Sequence, residues 1–242
     1  MTLRLVDLSL ESPEENLALD EALLLEAEAA AADGRELGYL RFWESPKSFV
    51  VLGVSSALEE DADPERCRAD GVPILRRASG GGTVLQGPGC LNFTLVLPLG
   101  YTAGLRDINS SYRMILDPCR EALGLEGSAM RGSCDLALGD RKFSGNAQKR
   151  SRHCLLHQGT LLWNFDLSRI PLYLRQPRKQ PEYREAREHL DFVMNLPLDA
   201  TELRQRIASA WETSCPESEW RPPPLDALLE EKYLNREWIE RF

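Results

Sequence analysis

The sequence predicts an α+β fold, in which short apolar strands follow one another and helices precede and follow them. Three observations indicate this. A helix with a capping signal follows the first strand, between residues 12 and 32. Several β-branched or alternating apolar runs lie between residues 39 and 97, separated by proline and glycine turns. Two further helical patterns lie at about residues 200–213 and 225–241.

Length and composition are typical of a globular protein. The 242 residues approach the upper limit of a single core, so we expect a catalytic domain at residues 1–198 with a C-terminal helical extension at residues 199–242 packed on it. The composition, 43% hydrophobic and 28% charged, is ordinary. The sequence lacks both an apolar run of roughly 20 residues and the apolar core of a signal peptide. We therefore expect a cytoplasmic protein that does not bind membranes.

Charge and cysteine usage exclude several classes of function. The net charge of −9 argues against nucleic acid as the main partner. The 6 cysteines are scattered, without CxxC pairs or His/Cys ligand spacing. This pattern argues against a structural zinc site and against a disulfide framework. No metal site is expected.

The N-terminal part has clear local signals. Residues 3–9 alternate apolar and polar side chains, which predicts a strand. Ser12 is the expected N-cap of the next helix, and Glu15 completes a capping box. The helix is expected to run to about Ala32, where Asp33-Gly34 ends it. Residues 39–44 and 48–54 are then predicted to form a hairpin around a proline turn.

The middle of the chain continues as strands around a glycine run. Residues 58–70 predict a helix, and strands follow at about residues 72–75, 83–86 and 91–97. The glycine run at residues 80–82 is thus expected inside a meander of strands. A Rossmann fold or a P-loop needs a helix directly after its glycines, so both are excluded.

The second half adds a helix, a hairpin and a long strand. Residues 107–123 show a helical apolar face interrupted at Pro118. Gly139-Asp140 predicts a tight turn between strands 135–138 and 141–144. Residues 155–165 predict a strand that contains a glycine, which suggests close backbone approach or a bulge. Residues 170–187 are rich in proline and arginine and are expected to form a loop.

Residues 76–84 (RRASGGGTV) are the main candidate for a binding site. Three consecutive glycines are costly to order, so a folded protein keeps them where the backbone bends sharply or another molecule comes close. Arg76 and Arg77 beside the glycines suggest that this other molecule is an elongated anion. The alternative is a glycine-rich hairpin turn with two solvated arginines.

Three other side chains each have a structural and a functional interpretation. Lys142 is either an exposed lysine on a sheet edge or a cation aimed at a carbonyl or phosphate oxygen. Cys134 is either a small buried hydrophobe or a thiolate nucleophile, its pKa lowered by Arg131 or Lys142. His157 is either a core histidine or a catalytic group.

Four motifs in this order resemble the lipoate–protein ligase and octanoyltransferase family, relatives of the biotin ligases. They are residues 76–84, Asp135-Leu136, residues 141–148 (RKFSGNAQ) and residues 157–162 (HQGTLL). Residues 16–23 (NLALDEAL), Trp43 with residues 50–53, and residues 231–234 (EKYL) with Glu237-Trp238 are also similar. The resemblance therefore covers nearly the whole chain.

The resemblance implies a mixed, largely antiparallel sheet with flanking helices, like that of biotin protein ligases and class II aminoacyl-tRNA synthetases. It also implies an enzyme of protein lipoylation, which joins a lipoyl or octanoyl group to one lysine of a lipoyl carrier domain. The expected catalytic residues are Lys142 and Cys134. The expected substrate-binding residues form three clusters: Arg76, Arg77, Ser79, Gly80, Gly81, Gly82 and Thr83; Ser144, Gly145 and Asn146; and His157, Gly159 and Thr160.

Two mechanisms are compatible with this resemblance. An acyl carrier protein thioester could acylate Cys134, which then passes the acyl group to the target lysine. Alternatively, lipoate or octanoate reacts with ATP and Mg to give an acyl-adenylate held by Lys142. Residues 86–90 (QGPGC) and Cys134 depart from the ligase pattern, and the chain ends before the accessory domain of long ligases.

Two alternative functions follow from these departures. One is a non-catalytic relative that binds lipoate or its adenylate. The other is one half of a bipartite ligase with a separate accessory subunit. The basic residues at 149–152 and 175–187 are expected to dock an acidic carrier domain.

Overall fold

The computed structural model describes residues 1–215 and 220–242. Residues 216–219, part of the predicted C-terminal extension, lie outside the described residues. The main sheet has six strands: β1 (Leu3–Asp7), β2 (Tyr39–Trp43), β6 (Cys90–Pro98), β10 (Asn146–Arg150), β11 (Cys154–Leu162) and β12 (Thr213–Ser214). Their order is β10-β11-β6-β2-β1-β12. The first three pairings in this order are antiparallel and the last two are parallel, so the sheet is mixed.

Two smaller sheets complete the strands. One contains β3 (Phe49–Leu52), β4 (Ile74–Arg76) and β5 (Val84–Gln86), in the order β4-β3-β5. The other contains β7 (Ser128–Arg131), β8 (Asp135–Leu138) and β9 (Arg141–Ser144). The predicted tight turn at Gly139-Asp140 is confirmed, because β8 and β9 pair antiparallel across it.

Helices cover both faces of the main sheet. The long helices are α1 (Pro13–Ala32), α4 (Ile108–Leu123) and α7 (Ala200–Ser209), and the short ones are α2 (Leu58–Asp61), α3 (Pro64–Ala69), α5 (Ile170–Tyr173), α6 (His189–Phe192), α8 (Asp226–Leu228) and α9 (Arg236–Ile239). Helix α1 packs on one face, and α4 and α7 pack on the other. The mixed sheet with flanking helices confirms the predicted fold class. No helix among the described residues is both long and apolar enough to cross a membrane.

Helix α1 has the predicted capping box. The Ser12 hydroxyl accepts from the Glu15 backbone N–H at 3.2 Å, and the Glu15 carboxylate accepts from the Ser12 backbone N–H at 3.1 Å. Two donors at the helix start are thereby satisfied, which is why this local signal identified the boundary.

Several predicted elements are corrected by the structure. Residues 39–54 do not form a hairpin, because β2 lies in the main sheet while β3 pairs with β4 and β5. The glycine run is not in a meander, because β3 lies between the strands that flank it. Residues 58–70 form two short helices rather than one, α4 runs through Pro118, and residues 225–241 divide into α8, a π-helical turn at Leu229–Tyr233, and α9.

The C-terminal residues are joined to α1 through a buried carboxylate. Glu21 is 1% exposed, and its oxygens accept from Lys232 Nζ at 2.7 Å and from the Tyr233 hydroxyl at 2.8 Å. Lys149 Nζ of β10 donates to the same carboxylate at 2.5 Å. Burial alone would raise the pKa of Glu21, but the two lysines outweigh it and the net pKa is lowered. Leu203 and Ile207 of α7 belong to the same core as α4, and the domain boundary near residue 198 stays a prediction.

Candidate active site

The glycine run forms a loop from the end of β4 to the start of β5. It lies against β10, because the Gly80 N–H donates to the Gln148 carbonyl at 3.3 Å. On its other side, the Val54 N–H donates to the Ser79 carbonyl at 2.9 Å. Gly81 has φ +82°, a conformation that disfavours any residue with a Cβ atom. The glycines therefore permit a backbone path between two sheets.

Arg77 holds this loop from beneath. Its Nη2 donates to the Gly80 carbonyl at 2.5 Å and to the Gly82 carbonyl at 2.9 Å, and its Nε donates to Ser79 Oγ at 3.0 Å. Burial lowers the pKa of Arg77 to about 10, so the side chain stays charged at neutral pH. The guanidinium orients the loop carbonyls, so Arg77 supports the loop, and its contact with substrate stays a prediction.

The Arg76 side chain points away from the loop carbonyls that Arg77 binds. Adjacent residues of an extended strand point to opposite faces, so Arg76 and Arg77 cannot share one anion. Arg76 Nη1 donates to the carbonyls of Gly53 and Ser56, both at 2.8 Å, and its Nε donates to the Ile239 carbonyl at 2.9 Å. These contacts engage Nη1 and Nε of Arg76 with the protein itself, and its contact with the activated end of the acyl chain stays a prediction. Nη2 of Arg76 is buried and has no hydrogen-bond partner among the described residues. A ligand role for Arg76 would therefore depend on this nitrogen.

A buried polar network links the loop to α1. Ser79 Oγ donates to Gln158 Oε1 at 2.6 Å, and Gln158 Nε2 donates to Asp20 Oδ2 at 2.8 Å. Asp20 Oδ1 forms an ion pair with Arg41 Nη1 at 2.6 Å. Ser79, an expected substrate-binding residue, thus has a structural role here. Asp20, Arg41 and Gln158 were not among the predicted site residues, although a carboxylate on an apolar helical face was a signal for Asp20.

Lys142 is not an exposed edge lysine. Its Nζ forms an ion pair with Asp135 Oδ1 at 2.7 Å, and its side chain is only 23% exposed. The ammonium lies beside Gly145, since a Cβ atom on that glycine would be 3.1 Å from Nζ. Gly145 is joined to Thr160 by a backbone hydrogen bond from the Thr160 N–H at 3.0 Å. An ammonium has three N–H donors, so this ion pair leaves donors for a ligand oxygen.

Asn146 connects the lysine hairpin, which is β8–β9 with Lys142, to the histidine strand, which is β11 with His157. Its Nδ2 donates to the Cys134 carbonyl at 2.7 Å and to Ser144 Oγ at 3.1 Å. Its Oδ1 lies 3.1 Å from His157 Nε2. Asn146 and Ser144 therefore have structural partners here, although the sequence analysis expected them to bind substrate.

The Cys134 side chain is half-buried and is not a preformed thiolate. Its Sγ donates to the Asn146 carbonyl at 3.0 Å. Burial and the charge of Asp135 raise the pKa of Cys134 more strongly than Lys142 lowers it. The expectation that nearby cations lower the pKa of Cys134 is therefore wrong, because burial raises this pKa and the lysine that would lower it is paired with Asp135.

His157 is a core histidine in this structure. It is fully buried, and burial lowers its pKa to about 3. Its Nδ1 faces the Gln148 amide nitrogen at 3.4 Å, while Nε2 faces the Asn146 oxygen. This network assigns the neutral ring with the proton on Nε2. The ring packs against Phe93 and Tyr112, so these contacts do not place His157 on a ligand.

Gly159 and Thr83 likewise have internal partners. A Cβ atom on Gly159 would lie 2.2 Å from the Phe93 ring, so the predicted close approach at this glycine is made by a core side chain. Thr83 Oγ1 donates to Asp61 Oδ2 at 2.7 Å, which anchors the end of the glycine loop to α2. Both were expected to bind substrate, and their contacts in the structure are with the protein itself.

The structure nevertheless brings the three predicted clusters together along β10. At its start Asn146 contacts the lysine hairpin and His157, and at its middle Gln148 contacts the glycine loop. Gly81 and Gly82 are exposed, and their N–H groups have no acceptor among the described residues. Backbone N–H groups and a lysine ammonium can together bind a polar, negatively charged group. Among the described residues, no group of three or more His, Cys, Asp or Glu side chains could hold a metal ion.

The basic segments are mostly paired within the protein. Lys149 binds Glu21, and Arg150 donates to the Leu105 carbonyl. Arg184 Nη2 donates to Gln176 Oε1 at 2.8 Å, and Arg175 Nε donates to the Ala62 carbonyl at 2.8 Å. The expectation that these segments dock an acidic domain is weakened, because these cations hold the fold together.

Comparison with known proteins identifies the family. Residues 12–210 match the family model of the lipoyl protein ligase A/B catalytic domain. This match covers most of the chain, and the chain therefore belongs to this family.

Curated relatives and solved structures are similar to this chain. A protein of Aeropyrum pernix named "Putative lipoate-protein ligase A" is 36% identical over 159 residues, which are 66% of this chain and 57% of that protein. The bipartite lipoate protein ligase of Thermoplasma acidophilum, solved in a study that includes its E2 lipoyl domain, has a TM-score of 0.80 at 23% identity, covering 99% of this chain and 96% of that one. A lipoate-protein ligase A bound with ATP has a TM-score of 0.78 at 23% identity, covering 99% of both chains. These structures show the same fold, and the chain spans about half the length of the curated relatives it matches.

Proposed function

We propose that this protein joins a lipoyl or octanoyl group to a specific lysine of a lipoyl carrier domain, through an ATP-dependent acyl-adenylate. The observation that carries the proposal is the position of Lys142, whose Nζ is held by Asp135 at 2.7 Å beside Gly145. Family membership supplies the class of substrate. Lipoate or octanoate, ATP with Mg, and the lipoyl domain are therefore the proposed substrates.

The chemistry has two steps. The carboxylate of the fatty acid attacks the α-phosphate of ATP, which forms a mixed anhydride and releases pyrophosphate. The neutral amine of the acceptor lysine then attacks the acyl carbonyl and gives up one proton to solvent. An amide bond forms, the anhydride bond breaks, and AMP leaves with the electron pair. Negative charge develops on the phosphate and then on the carbonyl oxygen, and a fixed cation stabilises such charge. Lys142 is assigned this role.

The glycine loop provides space for the acyl chain. A loop without side chains lets an aliphatic body lie against the backbone, and Arg77 keeps its carbonyls turned inwards. Gly80, Gly81 and Gly82 are therefore proposed as the wall of the acyl site, with Gly145 and Thr160 near the activated end.

A cysteine-dependent transferase is the competing mechanism. It would require the Cys134 thiol to become a thiolate, but burial raises its pKa and its proton is donated to the Asn146 carbonyl. These observations favour the adenylate route. An acyl carrier protein would be the donor only in the cysteine mechanism.

The decisive experiment compares wild type with Lys142→Met and Cys134→Ser. Purified protein is incubated with a lipoyl domain and lipoate, with and without ATP and Mg, and acylation is read by intact mass. We expect acylation that needs ATP, falls to a small residual rate in Lys142→Met, and persists in Cys134→Ser. Acylation from an octanoyl carrier protein without ATP, with an octanoyl adduct on the wild type that disappears in Cys134→Ser, would overturn the adenylate route.

Two alternatives are separated by the same assay. A half-enzyme, as in the bipartite ligase of Thermoplasma acidophilum, would acylate only after a separate accessory subunit is added. A non-catalytic relative would bind lipoate or its adenylate without transfer under any condition. All six cysteines are free thiols, which fits a reducing compartment, and a cytoplasmic location is part of the proposal.

A further inference from the structure

Tyr183 reaches the lysine hairpin from a distant part of the sequence. Its hydroxyl donates to Asp135 Oδ2 at 2.8 Å, across 48 residues of sequence. The other oxygen of the same carboxylate, Oδ1, holds Lys142 Nζ at 2.7 Å. Tyr183, Asp135 and Lys142 therefore form a chain in which each oxygen of one carboxylate has its own donor.

The turn that carries Tyr183 is held in an unfavourable backbone conformation. Glu185 and Ala186 both have positive φ, +52° and +56°, which residues with a Cβ atom rarely adopt. Such strain persists only where surrounding contacts enforce it. Arg187 supplies those contacts, because its Nη2 donates to the Tyr183 carbonyl at 2.7 Å and to the Asp140 carbonyl at 2.9 Å. The turn is thereby tied to the β8–β9 turn.

Further contacts join this segment to the strand of Lys142. Arg141 Nη2 donates to the Val193 carbonyl at 2.7 Å, and the Met194 N–H donates to the Lys142 carbonyl at 2.9 Å. The Tyr183 ring packs on Phe192 with centroids 5.1 Å apart. The segment and the hairpin therefore hold the Tyr183 hydroxyl at a fixed place relative to Asp135.

A carboxylate with a fixed orientation holds the ammonium of its lysine partner in one position. The lysine side chain is long and flexible, and a single ion pair with a rotating carboxylate leaves it mobile. A second hydrogen bond to the carboxylate removes that rotation. Burial and the charge of Asp135 raise the pKa of Tyr183, so its hydroxyl stays protonated as the donor.

We propose that Tyr183 is a positioning residue for acyl transfer, which acts through Asp135 to aim the Lys142 ammonium at the site beside Gly145. It is not assigned any contact with substrate. The inference rests on the proposed function, because Lys142 is assigned there to the activated end of the acyl group.

The test is Tyr183→Phe, which removes the hydroxyl and keeps the ring. Steady-state acylation of a lipoyl domain should show kcat lowered by about tenfold, the effect of losing a hydrogen bond to a charged group. The KM for lipoate should change by less than about twofold, because the glycine loop is untouched. In a Lys142→Met background, Tyr183→Phe should cause no further loss of the residual rate.

Tyr173→Phe is the matched control. Its hydroxyl donates to Asp70 Oδ2 at 3.0 Å, a bond of the same kind in a neighbouring part of the chain, without any link to Lys142. Both variants should lower the melting temperature to a similar extent, and only Tyr183→Phe should lower kcat. Equal kcat in the two variants, or a further loss in the Lys142→Met background, would overturn the positioning role.

A second measurement does not depend on activity. Reductive methylation with 13C-formaldehyde labels lysines for NMR, and Lys142 is assigned from its loss in Lys142→Met. The Lys142 signal should shift in Tyr183→Phe and stay in place in Tyr173→Phe; an unchanged signal in both refutes the proposal. If the wild type is inactive and the Lys142 signal still shifts in Tyr183→Phe, the result counts against the proposed function and not against the role of Tyr183.

Discussion

Glu21→Gln tests how strongly the buried carboxylate of α1 holds the C-terminal residues on the fold. The substitution keeps the shape of the side chain and removes the charge that faces Lys149 at 2.5 Å and Lys232 at 2.7 Å. Neutralising one partner of a buried ion pair costs about 3–5 kcal/mol, but both lysines are about a quarter exposed and can regain water. We therefore expect a loss of about 2 kcal/mol, or about 4–8 °C in Tm.

The stabilising contribution of Glu21 should decrease as the pH is lowered. The pKa of Glu21 is lowered in the folded state, so its contribution to stability is complete above its ordinary pKa of 4.5 and is lost as pH falls through the folded value. The difference in unfolding free energy between wild type and Glu21→Gln should be full at pH 7 and should shrink below about pH 4.5. Urea titrations followed by tryptophan fluorescence measure it at each pH.

Glu202→Gln is the control for this experiment. Glu202 pairs with Arg206 at 2.5 Å on a helix surface, with 42% of the glutamate side chain exposed, so its loss should cost less than about 0.5 kcal/mol. Equal unfolding free energies for wild type and Glu21→Gln at pH 7 would refute the reasoning. So would a difference that stays constant down to pH 3.

Four further substitutions test the glycine loop and the core beside it. Gly81→Val should abolish acylation while the protein stays folded by circular dichroism, because φ is +82° there and a Cβ atom would lie 2.9 Å from Arg77 Nη2; normal activity would contradict this. Gly159→Ala should lower the unfolding free energy by about 1–3 kcal/mol through overlap with Phe93, and Phe93→Leu should partly restore it, as measured in urea. His157 has a folded pKa of about 3, so it binds a proton on unfolding, and wild-type stability should fall by up to about 1.4 kcal/mol per pH unit below pH 6.5. His157→Gln should flatten that slope, and an unchanged slope would exclude His157 as its source.

Local patterns were sufficient for features whose cause is local. The capping box of α1 and the Gly139-Asp140 turn depend on residues within four positions of one another, and both are present. The fold class also followed, because the number and type of strands and helices limit the possible arrangements.

Features that depend on distant pairing could not be predicted in this way. Strands β2 and β3 are neighbours in sequence and have the composition of a hairpin, but each finds its partners in another sheet. Arg76 and Arg77 form one basic patch in the sequence and separate in space, since successive residues of a strand face opposite ways. Tyr183 gave no signal, because its partner Asp135 is 48 residues away.

The buried network beneath the glycine loop has a consequence for the newly synthesised chain. Gln158 accepts a hydrogen bond from the Ser79 hydroxyl and donates one to Asp20. Ser79 lies 79 residues before Gln158 in the sequence, and Asp20 lies 138 residues before it. When the glycine loop leaves the ribosome, these partners cannot yet be joined. The contacts of the loop with Arg77 and Val54 can form earlier, but its link to α1 is complete only after β11 has been made. A ribosome-stalled chain that lacks β11 should therefore not bind the acyl substrate.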